Sequence, residues 1–229
     1  MSKKPESFYT GEQNLLNPDN HVLLLIDHQP SQFAAVQSHD RTLLINNTVA
    51  LAKVAKAFGV PTLLTTIIED LGGKVVPQLQ AVFPDQVPIN RTTMNAWEDS
   101  RVVAWVRQSG RQKVVIAGLW TDICVAFPVL SALGDGYEAY FVTDASGSTT
   151  TEAHNMAVQR MVQAGAVPLV WSTYSGELQR DWARAKTVPT IQKIAAEHGG
   201  VMGSDIAWEM QLLATPTPDW VREAVGSSR

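Results

Sequence analysis

The run His21–Ile26 (HVLLLI) is apolar at every position after the first and stops at an aspartate, Asp27; no other stretch constrains the fold as much. A strand without polar–apolar alternation has to be covered on both faces, as a central strand of a parallel sheet is. Further runs of strand length follow at Pro61–Ile68, Lys113–Ala117, Glu138–Val142 and Val167–Trp171, with a shorter one around Pro88–Asn90. Helical spacing fills the gaps: Thr42–Phe58 closed by Gly59, Asp99–Gln108, Ile123–Leu133, and Thr151–Gln163 with Thr150 or Thr151 as its cap. Glu177–Lys186 and Pro189–His198 also read as helices, and Glu69–Val87 reads as loop. Strands alternating with helices predict an α/β fold, a six-stranded parallel sheet with helices on both faces. By analogy with common doubly wound sheets the expected order is 3-2-1-4-5-6. In that order the first and fourth strands are neighbours at the switch point, and residues just past their carboxyl ends share a crevice.

Composition narrows the function classes. The chain has 229 residues, a net charge of −4 and no long basic run, so a nucleic-acid partner is not expected. Its single cysteine cannot form an internal disulfide or a thiolate metal cage. The opening MSKKPESFYTGEQ lacks the apolar core of a signal peptide, and no stretch is long and apolar enough to span a bilayer, so the expected location is cytoplasmic, without a membrane partner. Residues 1–20 read as a surface arm. Residues 1–198 are expected to form one domain, and 199–229 a C-terminal tail used in subunit contacts.

The chemistry gathers around Lys113–Leu133 (KVVIAGLWTDICVAFPVLSAL), a strand that turns sharply into a helix. Cys124 falls in the first turn of that helix, where free N–H groups and the positive dipole end lower a thiol's pKa. A lone cysteine also serves as a small buried hydrophobe, and Cys124 alone does not decide between the two. Asp27 and Arg91 likewise follow strands. A carboxylate beside a thiol takes its proton and returns it to a leaving group; a cation there stabilises a thiolate and a developing oxyanion. His28 follows Asp27, but strand alternation turns it to the opposite face. His154 reads as a surface or packing residue within a helix.

The segments LLLIDHQ (23–29), PTLLTT (61–66), RTTMNAW (91–97), VIAGLWTDICVAFPVLSAL (115–133), VTDASG (142–147) and RMVQAGAVPL (160–169) stand in the order of the isochorismatase-like cysteine hydrolases. The chain resembles that superfamily over about residues 20–185, and within it the YcaC-like branch. GLWTDICV is the most specific match, because its Gly, Thr, acidic residue and Cys fit the nucleophile motif position by position. The resemblance implies an Asp–Lys–Cys triad, with Asp27 and Cys124 matching two members. Arg91 stands at the apparent lysine position, keeps its charge at every working pH and does not shuttle protons. Also implied are a cis peptide at Leu119–Trp120 and an oxyanion hole made by the N–H groups of Trp120 and Cys124.

Relatives that act on nicotinamide carry an acidic-and-two-histidine metal site after the second strand. Here Thr65–Asp70 has no histidine, so no metal, no cofactor and no nicotinamide substrate are expected. Phe33, Trp97 and Trp120 are candidate substrate-binding residues, a core or interface role for Phe33 and Trp97 remaining open. Asp144 reads as a structural cap in a tight turn. Trp171, Trp182, Trp208 and Trp220 read as packing residues, between subunits or onto the body. The resemblance implies a homo-oligomer, ring-stacked octamers being the form of the YcaC-like branch. The expected activity is metal-independent hydrolysis of a small amide-like C–N substrate through a Cys124 thioester. The alternatives are an oligomeric binding or redox-responsive protein whose cysteine does not turn over substrate, and a purely structural assembly protein with an inert thiol.

Overall fold

A computed structural model describes residues 14–212. Its centre is a sheet of six parallel strands: β1 (His21–Ile26), β2 (Thr62–Ile67), β3 (Ile89–Arg91), β4 (Lys113–Gly118), β5 (Glu138–Val142) and β6 (Val167–Leu169). Their order is β3-β2-β1-β4-β5-β6, as expected. Every residue of β1 and of β4 is buried, because each of these strands has a strand on either side and helices above and below.

The alternation of side chains along these strands sorts the core into two layers. Leu23, Leu25, Val115, Ala117, Tyr140 and Val142 face one side. There they meet α2 (Arg41–Ala57), α8 (Trp171–Gln179) and α9 (Val188–His198). Val22, Leu24, Ile26, Val114, Ile116, Ala139 and Phe141 face the other, against α5 (Ser100–Gln108), α6 (Ala126–Gly134) and α7 (Thr151–Gln163). Three helices start on side-chain caps: Asp40 accepts from Leu43 N–H, Asp99 from Arg101 N–H, and Thr150 from Ala153 N–H.

Four expectations change. The stretch read as loop over 69–87 holds two single-turn helices, α3 (Glu69–Gly72) and α4 (Pro77–Gln80), after α1 (Pro30–Ala35) earlier in the chain; four residues are too few for a periodicity to show. The last strand ends at Leu169, and a helix starts at Trp171 rather than at Glu177. Apolar composition runs unbroken from Val167 to Trp171, but the Trp171 N–H is taken by Asp144 Oδ1 at 2.9 Å, which opens the helix there. Asp144 is therefore a cap, as read, though for a distant helix. The helix after Gly118 does not begin at Ile123: Thr121–Val125 forms a single wide π turn, and α6 follows it. Finally, part of the expected tail is a helix, α10 (Val201–Leu212), packed on α9. Residues 213–229, with Leu213 and Trp220, lie outside the described residues, as do residues 1–13 of the arm.

Gly118 makes the β1–β4 edge possible. A Cβ there would stand 2.5 Å from the Ile26 carbonyl oxygen and 2.9 Å from the Ile26 Cβ. A side chain at this position would therefore force the two strands apart just where the chain leaves each for a loop. That position is the switch point: β2 and β3 extend the sheet to one side of β1, and β4, β5 and β6 to the other.

Candidate active site

Asp27 leaves β1 in a left-handed backbone conformation (φ 58°), its N–H bonded to Thr65 O. This turns its carboxylate into the crevice beyond β1 and β4. Oδ2 accepts from Arg91 Nη2 at 2.6 Å, and Oδ1 accepts from the Thr65 hydroxyl at 3.3 Å. The Cys124 thiol stands close enough to the same carboxylate for each to shift the other's ionisation. Asp27, Arg91 and Cys124 thus form one connected, almost fully buried cluster.

Arg91, the last residue of β3, is fixed from several sides. Nη1 donates to the carbonyl oxygens of Thr93 and Met94, and the side chain has no exposed surface. Its Nε and the Thr93 hydroxyl have no partner among the described residues. The β2–α3 corner beneath it is pinned by Gln29. The amide of Gln29 donates to Ile67 O (3.1 Å) and Gly73 O (2.5 Å) and accepts from Ile67 N–H (2.8 Å). The next residue, Ile68, donates its N–H to Arg91 O. Gln29 and Thr65 are the supports that sequence reasoning missed; both lie inside matched segments, but a motif does not say which of its residues brace the others.

Electrostatics corrects one expectation. Burial pushes the Cys124 thiol up to about 12, and the Asp27 carboxylate pushes in the same direction. The Arg91 charge and a backbone hydrogen bond from Trp120 oppose them without prevailing. Helix-start reasoning had the sign reversed, because the cysteine sits in a buried π turn beside an anion rather than on an open helix end. Asp27 is itself raised to about 6: burial outweighs Arg91, the Cys124 thiol and the hydrogen bond of Thr65. At neutral pH the pair therefore rests as a carboxylate beside a neutral thiol.

The Leu119–Trp120 peptide is cis, and the Trp120 N–H is directed at the Cys124 sulfur. The Trp120 indole, partly exposed, donates Nε1–H to Gln32 O in α1 at 3.0 Å. The other two aromatic candidates have partners of their own, Trp97 in the same apolar layer as Cys124. Phe33 lies against His28, 6.0 Å between ring centroids, in the core layer across the sheet from Cys124. Trp97 donates to Asp135 Oδ2 at 3.0 Å and stands edge-on to Tyr137; Asp135 follows the end of α6 remote from Cys124. His28 points away from the carboxylate, as alternation requires, with Nε2 bonded to Ala145 O at 3.1 Å. His154 is buried and bonded to Thr121. Among the described residues, no three His, Cys, Asp or Glu side chains are grouped to hold a metal ion, and no helix is long and apolar enough to cross a membrane.

Comparison with known proteins agrees with this geometry. The isochorismatase domain family matches residues 21–173. The probable hydrolase YcaC of Escherichia coli (strain K12) is 40% identical over 169 residues, 73% of this chain and 81% of its own. The structure of YcaC from Pseudomonas aeruginosa, with hexane-2,5-diol and covalent acrylamide, superposes with a TM-score of 0.82 at 35% identity, over 88% of this chain and 98% of that one. The structure of the Escherichia coli YcaC gene product, an octameric hydrolase of unknown specificity, gives the same TM-score and identity over 89% and 98%. The chain belongs to the isochorismatase family of hydrolases, in its YcaC-like branch.

Proposed function

We propose that the protein hydrolyses a small, uncharged amide-like C–N substrate through a thioester on Cys124. The observation that carries the reading is the buried chain of contacts Cys124–Asp27–Arg91 at the switch point of the sheet. Asp27, ionised above about pH 6, takes the thiol proton as the sulfur attacks the carbonyl carbon. The carbonyl π electrons move to oxygen, where the N–H groups of Trp120 and Cys124 receive the charge. The tetrahedral intermediate collapses, the C–N bond breaks, and protonated Asp27 gives its proton to the departing nitrogen. Asp27 then takes a proton from water, hydroxide displaces the sulfur, and the proton returns to the thiolate.

Arg91 holds Asp27 and supplies a fixed positive charge, with no part in proton transfer, because a guanidinium keeps its protons. Trp120 forms one wall of the substrate crevice. The covalent acrylamide carried by the Pseudomonas aeruginosa relative supports a crevice that admits a small amide-bearing electrophile. The redox-responsive alternative calls for a thiolate at rest, and a thiol pushed up to about 12 weighs against it.

The protein works as a homo-oligomer on this reading, as the octameric Escherichia coli relative does. Residues 1–198 form the hydrolase domain. The tail from 199 makes subunit contacts, with Val201, Met202 and Trp208 left exposed on the protomer. The deciding experiment is a panel of small aliphatic and aromatic amides, with mass spectrometry of the rapidly quenched protein. The expected result is an acyl mass on Cys124 and release of amine, both lost in Cys124→Ala. Amine release that persists in Cys124→Ala would overturn the mechanism.

A further inference from the structure

The turn that carries Cys124 is held by more than the sheet. Among the described residues no side-chain cap opens this turn, and the side chains of Thr121 and Asp122 do not serve as one. Their side chains instead reach outward to two other elements. The Thr121 hydroxyl meets His154 Nδ1 of α7 at 2.9 Å, and Asp122 Oδ1 accepts from the Ser148 hydroxyl. The Thr121 N–H is bonded to Gly147 O at 2.9 Å.

His154 is in turn enclosed. The His39 ring stands edge-on to it, 4.5 Å between centroids, and His39 Nδ1 lies 2.8 Å from the Ser38 hydroxyl. The loop carrying His39 is tied to the Ser148 segment: Gln37 and Ser38 donate N–H to Ser148 O, and Ser148 N–H donates back to Ser38 Oγ. Burial and the facing His39 ring keep the imidazole of His154 neutral at physiological pH, against the opposing pull of Asp122. A neutral imidazole beside a hydroxyl exchanges one well-defined hydrogen bond with it.

We propose that His154 is a positioning residue for the nucleophile turn, fixing through the Thr121 hydroxyl the backbone from which the Trp120 N–H and the Cys124 sulfur are presented. This rests on Cys124 being the nucleophile. Thr121 follows the peptide that directs Trp120 at the sulfur and precedes Cys124 by less than one helical turn. A shift at Thr121 therefore displaces donor and nucleophile relative to one another. A misplacement of about 1 Å is enough to lower a reaction rate about a hundred-fold.

The test uses the full chain and reads the second-order rate of acrylamide addition to Cys124 by intact-mass spectrometry, with thermal melts alongside. His154→Leu and the isosteric Thr121→Val are each expected to slow the addition by at least about ten-fold, and the double variant to be no slower than the slower single one, as coupled residues behave. His154→Asn, which sets an amide close to the place of Nδ1, and Thr121→Ser are expected to recover the rate to within about three-fold. If His154→Leu does not fold, Thr121→Val and its serine rescue carry the same test. A wild-type rate in Thr121→Val, multiplicative effects in the double variant, or an asparagine as slow as leucine would overturn the role of His154 and leave the Cys124 reading intact. A wild-type Cys124 that acrylamide does not modify would overturn both.

Discussion

The sharpest consequence of the site is the shape of a pH profile. With the thiol pushed up to about 12 from an ordinary value of 9.0, the resting pocket holds on the order of 1,000-fold less thiolate at pH 7 than an unperturbed cysteine. A nucleophile that waited for spontaneous ionisation would be slow by that factor. If Asp27 takes the proton as the sulfur attacks, the rate follows the ionisation of Asp27 instead. The expected profile for acrylamide addition to the wild type rises to a midpoint near 6, then stays flat until the thiol itself begins to ionise far into the alkaline range. Asp27→Asn removes the step near 6. It also removes the anion opposing thiolate formation and leaves Arg91 uncompensated, so its single remaining ionisation moves to lower pH than in the wild type. The assay is intact-mass alkylation between pH 5 and pH 10, on both proteins, with Cys124→Ala as the blank. A wild-type rate that climbs steadily through about pH 8.5, the range of a free thiol, would refute the coupling. So would a step near 6 that survives in Asp27→Asn.

The remaining consequences concern the scaffold. Arg91→Met leaves Asp27 buried without its cation; a loss of about 3–5 kcal/mol in urea unfolding is expected, with the alkylation midpoint moved above 6 because the lowering influence of Arg91 is gone. Gly118→Ala places a Cβ 2.5 Å from Ile26 O, so strands β1 and β4 must part; about 1–3 kcal/mol of lost stability is expected, together with slower alkylation, and an unchanged melt would contradict the close-approach account. Gln29→Leu removes three hydrogen bonds to the β2–α3 corner, and the backbone groups left unpaired cost about 1–3 kcal/mol each, measured by urea unfolding. Burial lowers His21 and His28 to about 4, whereas their unfolded forms titrate near 6.5. Their contribution is therefore present above 6.5 and lost as pH falls through 4, by about 3 kcal/mol for each residue. Asp27, raised to about 6, runs the opposite way and offsets part of that slope. His28→Gln is expected to flatten the acid decline of the urea midpoint, and an unchanged slope would count against the account.

What could be read from the sequence, and what could not, follows from the range of the forces involved. The central strands are plain because a fully covered strand has to be apolar along its length, a local requirement that HVLLLI and KVVIA meet at every position after the first. The start of α8 is hidden because its first N–H is taken by a carboxylate 27 positions earlier, and no window of neighbouring residues contains that partner. Asp27 and Arg91 are 64 positions apart; only the sheet order β3-β2-β1 brings them together, and that order came by analogy rather than from spacing.

The ionisation of Cys124 was the least accessible quantity, because it is a balance of burial against nearby charges, and burial is set by the whole fold. A helix-start rule captures one favourable contribution and misses the two larger opposing ones, desolvation and the Asp27 carboxylate. The outcome changes how the chemistry has to work. A cysteine that rested as thiolate would be exposed to oxidants and to any electrophile that entered. A thiol held neutral beside its base reacts only when an electrophilic carbon is placed to receive the sulfur as the proton leaves. Selectivity then lies in the position of the turn rather than in the reactivity of the sulfur. That places the burden on the residues that fix the turn, Gly118 from within the sheet and Thr121 and Asp122 through their distant partners, as much as on the cysteine itself.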